Sequence, residues 1–191
     1  MSAPAKSPKK VGRNARNLRA ILLLVLLAGG LALLNAYTTR RDVDLATGPA
    51  NEAQKQFFIA AADRPDIETF YKNLKHEQRV QMAERIGEHR HPKIAELTGK
   101  LLNSFDPQAR DALKASLKKL ATSETEAVAD LLKLGSSFQR LAVFETLDSL
   151  GDQAVSLAVA RLDKGDFRAN AGTYLLTKGK APIAPLLALL K

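Results

Sequence analysis

Histidine and carboxylate come together in one place. The stretch ERIGEHRHP, residues 84–92, sets Glu84 and Glu88 one helical turn apart and follows them with His89 and His91. Imidazole with carboxylate is a ligand set for zinc or another transition metal. But residues two apart on a helix point in different directions, so His89 and His91 do not converge there. Pro92 interrupts the helix, and a histidine at a helix C-terminus complements the dipole when protonated. The stretch reads as a solvated helix end, and no metal is expected.

Nucleophilic catalysis needs a base beside the nucleophile, held by a third group. The chain has no cysteine, and its three histidines, 76, 89 and 91, fall in one short stretch. The glycines are scattered near helix ends rather than gathered in a phosphate-cradling loop. No constellation assigns catalytic roles, so no enzyme activity and no cofactor are expected.

Arginine recurs instead. Arg79, Arg110, Arg140 and Arg168 are separated by 31, 30 and 28 residues. A ladder of guanidinium groups on one face could bind acidic partners. The favoured reading is structural: each arginine pairs with a nearby acid, such as Asp106 or Asp166, and ties neighbouring units together. A second chemical cluster is aromatic, Phe57 and Phe58 with Phe70 and Tyr71. It reads as the core of an N-terminal helical pair, with an aromatic-lined ligand cleft as the alternative.

The elements that must carry these residues are helical. Ile67, Phe70, Tyr71 and Leu74 follow i, i+3, i+4, i+7, as do Ile94, Leu97, Thr98, Leu101, Leu102 and Phe105. No segment alternates with period two, so no sheet is expected. Breaks recur at Asp63-Arg64-Pro65, His91-Pro92, Asp106-Pro107, Thr122-Ser123, Gly135-Ser136, Gly151-Asp152, Gly165-Asp166 and Gly179-Lys180. Glycine closes one helix there and Ser or Asp caps the next. Each repeated arginine is followed seven residues later by Ile86, Leu117, Leu147 or Leu175, and the helices end four residues beyond. A two-helix unit of about 30 residues, too small to bury its own apolar face, predicts an α-solenoid.

Residues 151–191, GDQAVSLAVARLDKGDFRANAGTYLLTKGKAPIAPLLALLK, resemble HEAT repeats of the short bacterial type. Asp166, Arg168, Ala169, Ala171, Leu175 and Gly179 carry that resemblance, as do Gly135, Arg140, Ala142, Leu147, Leu150 and Gly151 in the preceding unit. In residues 106–121, Ala121 stands where the pattern has glycine. The resemblance covers a little over half the chain, and it implies a scaffold without implying a reaction. The repeats are expected over 76–191, preceded by capping helices over 52–75. The last repeat is incomplete: 181–191 is almost wholly apolar, where a solenoid needs a polar cap. Ile183, Leu186, Leu187 and Leu190 are therefore candidate partner-binding residues.

Charge and hydropathy set the address. Residues 1–41 hold eight basic residues and no acid, whereas 42–191 hold 21 basic and 20 acidic. The net charge of +9 thus belongs to the ends of an apolar segment. The folded part lacks the basic excess of a nucleic-acid-binding face, and no nucleic-acid partner is expected. Residues 20–39 carry no formal charge and match the length of a membrane span. Six basic residues precede this segment and two follow, which orients the N-terminus to the cytoplasm.

The favoured reading is a retained signal-anchor in the inner (plasma) membrane, single-pass, with the C-terminal domain periplasmic or otherwise extracytoplasmic. A cleaved signal peptide, with small residues at Gly30 and Ala32, a buried soluble helix and an organellar leader are the alternatives. Residues 1–19 form a disordered basic tail, suited to anionic headgroups. Residues 40–51 form a linker broken at Gly48-Pro49. Ala28, Ala32 and Ala36 fall four apart and are candidates for self-association within the membrane.

The whole predicts an all-α protein: one transmembrane helix, then an α-solenoid of HEAT-like helix pairs. Its expected job is to hold a protein partner at the membrane. The alternatives are a structural or assembly subunit of a membrane complex, or the anchor and regulatory segment of a longer enzyme.

Overall fold

The structure is a computed structural model describing residues 11–179, with side chains from residue 23 onward. Every element among the described residues is helical, and none is a strand. The chain divides into two units, residues 1–42 and 43–191.

The first unit consists of most of one long helix, α1 (Val11–Thr47). Its side chains from Leu23 to Tyr37 are exposed, among them Leu24, Val25, Leu26, Leu31 and Leu33. An apolar helix with no protein cover needs another apolar medium. Leu23–Thr47, 25 residues, is long and apolar enough to cross a membrane, and a signal sequence near an N-terminus has the same character. The helix does not stop at residue 39, so the expected linker over 40–51 is corrected to residues 48–51. No breaker precedes Gly48, and at Gly48 a Cβ would lie 2.6 Å from the Asp44 carbonyl oxygen.

The second unit begins inside the last turns of α1, where Ala46 is fully buried. Then follow α2 (Glu52–Ala61), α3 (Ile67–Asn73), α4 (His76–Ile86), α5 (Pro92–Leu101), α6 (Pro107–Ala121), α7 (Thr125–Ala129), a 3-10 turn (Asp130–Lys133), α8 (Ser137–Asp148), α9 (Asp152–Val159) and α10 (Gly165–Leu176). The boundaries follow the capping chemistry of the sequence. Asn51, His91, Asp106 and Ser136 each accept a backbone N–H of the helix they open, and Pro92 and Pro107 occupy first-turn positions that need no donor. Pro92 thus starts a helix rather than ending one; the break lies at Gly87–His91.

One stripe of each long helix enters a continuous core. Met82, Ala83 and Ile86 of α4 meet the α6 face made by Ala109, Leu113, Leu117 and Leu120. Further on, α5 touches α6, α7 and α8, and α9 touches α10. The aromatic cluster Phe57, Phe58, Phe70 and Tyr71 is buried in this core. Phe105 departs from its periodic expectation. Helix α5 ends at Leu101, so residue 105 sits in the turn before α6, outside the helical register, and is 83% exposed.

Three of the buried polar side chains serve helix ends. Ser116 Oγ donates to the Ala83 carbonyl, Gln139 Nε2 to Gly99, and Asn170 Nδ2 to Leu132 and Leu134. These carbonyls lie in last turns, where the helix leaves them without an internal partner. Tyr71 to Arg79, Arg79 to Lys72 and Thr125 to Ala121 join sequential helices over eight, seven and four residues; the longer-range polar bonds between helices of α2 to α10 bridge 27 residues (Arg79 to Asp106) to 40 (Gln139 to Gly99).

Candidate functional site

A cleft of about 640 Å³ opens where the start of α4 faces the start of α6. Lys72, His76 and Arg79 line it from one side, and Ser104, Phe105, Asp106, Pro107 and Gln108 from the other. Its position follows from the two N-termini. His76 is the first residue of α4, and Asp106 is the N-cap of α6, with Oδ1 accepting the Ala109 amide at 3.2 Å.

Asp106 organises the cleft. Its Oδ2 accepts from His76 Nδ1 at 2.7 Å and from Arg79 Nε at 3.1 Å. The Asp106 side chain is only 7% exposed. Burial raises the pKa of its carboxyl, but the bonds from His76, the Ala109 amide and Arg79 outweigh that and hold it below the usual carboxylate range. His76 places Nε2 2.8 Å from Gln108 Oε1. With acceptors at both ring nitrogens, the imidazolium is the form that fits. The bond to Asp106, then that to Gln108, raises the His76 pKa above the ordinary value. Arg79 also donates through Nη1 to the Leu74 and Lys72 carbonyls at 2.6 and 3.2 Å, which closes the C-terminus of α3.

Ser104, His76 and Asp106 are the residue types of a nucleophilic triad. Their geometry is different: Nε2 of His76 engages Gln108, while Ser104 Oγ accepts the Asp106 amide at 3.2 Å. What the arrangement offers is three cations beside one carboxylate, with an exposed phenyl ring at the edge.

The repeated arginines do not act alike. Arg79 ties α4 to the cap of α6, as the structural reading expects. Arg110 lies over the Phe138 ring, 4.7 Å from its centroid, and so also joins neighbouring units. Arg140 reaches only Ser137 Oγ at 3.4 Å, and Arg168 donates to the Leu162 carbonyl at 3.0 Å rather than to Asp166. Outside the ladder, Arg161 makes the most enclosed ion pair of this kind. It is 3% exposed and donates to Asp130 Oδ1 at 2.7 Å, Glu126 Oε2 at 2.8 Å and the carbonyls of Glu126 and Leu157.

The histidines of residues 84–92 part company. His89 is buried, with Nε2 2.9 Å from Gln54 Oε1, and Gln54 in turn donates to the Leu45 and Gly48 carbonyls. Burial lowers the His89 pKa. His91 caps α5 by accepting the Lys93 amide on Nδ1. Glu88 pairs with Arg85. Ala28, Ala32 and Ala36 are exposed along α1. Ile183, Leu186, Leu187 and Leu190, proposed from sequence as partner-binding residues, lie outside the described residues.

No protein family, curated protein or solved structure matches this chain. The cleft itself was legible only in part. His76 and Asp106 are 30 residues apart, one repeat length, so laying one unit over the next would have brought them together. Phe105 belongs to the run whose spacing predicts a helix, but that spacing continues a helix that has already ended.

Proposed function

We propose that this chain is a membrane-anchored binding module that holds a protein partner through the cleft between α4 and α6. The observation that carries the reading is that cleft: a preformed concavity with Phe105 83% exposed at its edge. Leaving a phenyl side chain in water forgoes roughly 1.5–3 kcal/mol that burial would provide. A partner that covers it recovers that free energy.

HEAT-like stacking fits the same observations. Interhelical polar bonds that reach 27 to 40 residues connect each unit to its neighbour, as a quasi-one-dimensional array requires. Anchoring is supported by the exposed apolar surface of α1 and by the six basic residues before it against two after it. That asymmetry supports a cytoplasmic tail and an external helical domain.

Two experiments test the reading. A reporter active only outside the cytoplasm, fused after Lys191, should work and be retained in a full-length membrane band; cytoplasmic fluorescence from the companion fusion would overturn the orientation. A photo-crosslinking amino acid at position 105 should give discrete protein adducts in intact membranes. The same group at exposed Lys119, at the other end of the roughly 20 Å helix α6, should not. Equal labelling at both positions, or none at 105, would remove the cleft as the binding site.

A further inference from the structure

The charge in the cleft is unbalanced, and this tells what the partner must bring. We infer that the cleft takes an acidic segment of a protein, with its carboxylates against Lys72, His76 and Arg79 and a neighbouring apolar side chain over Phe105. The inference rests on the binding-module reading and adds the chemistry of the bound segment.

Asp106 is the one carboxylate lining the cleft, and its capacity is taken. Oδ2 serves both His76 and Arg79, and Oδ1 serves the Ala109 amide. Lys72 is exposed and has no ion pair or hydrogen bond through its ammonium group among the described residues. Arg79 commits Nε and Nη1, and among the described residues its Nη2 has no partner. His76, 47% exposed on its side chain, is a third cation. An anion entering the cleft would therefore meet unengaged donors on Lys72 and Arg79, while His76, with both ring nitrogens engaged, contributes its charge alone. Charged groups with unengaged donors favour carboxylate or phosphate.

Phe105 narrows the choice. An isolated inorganic anion leaves the ring in water, whereas a peptide with acidic and apolar residues side by side satisfies both walls at once. The cleft volume of about 640 Å³ falls within the range of sites that enclose several side-chain-sized groups. Aromatic residues that become buried at the centre of a contact carry much of its binding free energy.

The experiment uses the full chain in nanodiscs of zwitterionic lipid. The probe is a short fluorescent peptide with glutamates flanking one phenylalanine, followed by anisotropy. Saturable binding is expected, weakening steeply with salt. Lys72→Glu and Phe105→Ser should each raise Kd by about tenfold or more, while the melting temperature of the Lys72→Glu protein stays that of the parent. The same peptide with glutamine for glutamate should lose binding. Equal affinity for the glutamine peptide, or an unchanged Kd in Lys72→Glu, overturns the inference. Binding to anionic phosphatidylglycerol vesicles with no binding of the acidic peptide also overturns it, in favour of a lipid headgroup. Protein adducts at position 105 with no affinity for the acidic peptide would sink this inference and leave the binding-module reading standing. Absence of adducts at 105 would remove the reading itself.

Discussion

Two junctions in the helical unit use the same pair of residue types to different ends. Between α4 and α6, Arg79 meets Asp106 across 27 residues; beyond α9, Arg161 meets Asp130 across 31. Arg161 is enclosed and all three of its guanidinium nitrogens are engaged, by Glu126, Asp130 and two carbonyls. Arg79 is 22% exposed, shares its aspartate with His76 and faces a cleft. The α4–α6 junction does not depend on its ion pair for close packing. Gly87 approaches Ser116 so closely that a Cβ would sit 2.9 Å from the Ser116 Cα. A junction held by backbone contact can leave its polar rim available for a partner. At the Arg161 junction the guanidinium is buried and the exposed rim is acidic instead, formed by Glu126 and Asp130.

Substitution of Arg161 should break the comparison most visibly. Arg161→Ala removes a buried, packed side chain and the donor to the Leu157 carbonyl, and should cost about 3 kcal/mol. For a domain of this size that is a fall in Tm of roughly 6–12 °C, measurable by circular dichroism. Binding at the cleft should be unchanged once the protein is folded. A loss below about 1 kcal/mol would show that the buried junction is no more important than a surface pair.

Next in size is Gly87→Ala. The added methyl meets backbone and not only the flexible Ser116 hydroxyl, so the α4–α6 contact must move, at about 2 kcal/mol. If denaturant unfolding shows Gly87→Ala to be as stable as the parent, close approach is not what holds this junction. Asp106→Ala removes the cap of α6 and the acceptor for His76 and Arg79 together, and should cost about 1–2 kcal/mol. It should also strengthen, not weaken, binding of an acidic peptide, because it removes the carboxylate that competes with it. A weaker-binding variant would mean that Asp106 acts mainly by positioning the two cations.

The smallest effect is in pH, and it separates the two kinds of site by sign. His76 is raised above the ordinary histidine value of about 6.5, so its pairing adds stability that is full below that value and is lost as pH rises through the raised one. His89 is lowered, so its burial adds stability present above about 6.5 and lost as pH falls through the lowered value. Titration of the imidazole resonances should place His76 above 6.5 and His89 below it; the reverse order would contradict the geometry of both.

Helix placement was the most legible part of this chain. Asn51, Asp106-Pro107 and Ser136 announce helix starts because a short polar side chain can satisfy a free N–H using only neighbouring residues. The apolar length of α1 was equally plain. Side-chain partners were less so. The repeated arginines share a spacing yet have four different environments, because each partner is supplied by a separate element. Arg161 stands outside the ladder and gave no local signal at all. The periodic run that ends at Phe105 misled because periodicity cannot say where a helix stops before the chain turns.

Sequence alone determined what depends on near neighbours and on solvent: helical periodicity, caps, and the charge asymmetry about an apolar segment. These are set within a few turns of chain, or by the cost of exposing apolar surface. The tertiary structure decided which arginine is enclosed, where His76 finds Asp106, and that Phe105 faces solvent. Those outcomes depend on which helix ends meet once neighbouring units bury their stripes, and on which donors remain unengaged after packing has taken the rest.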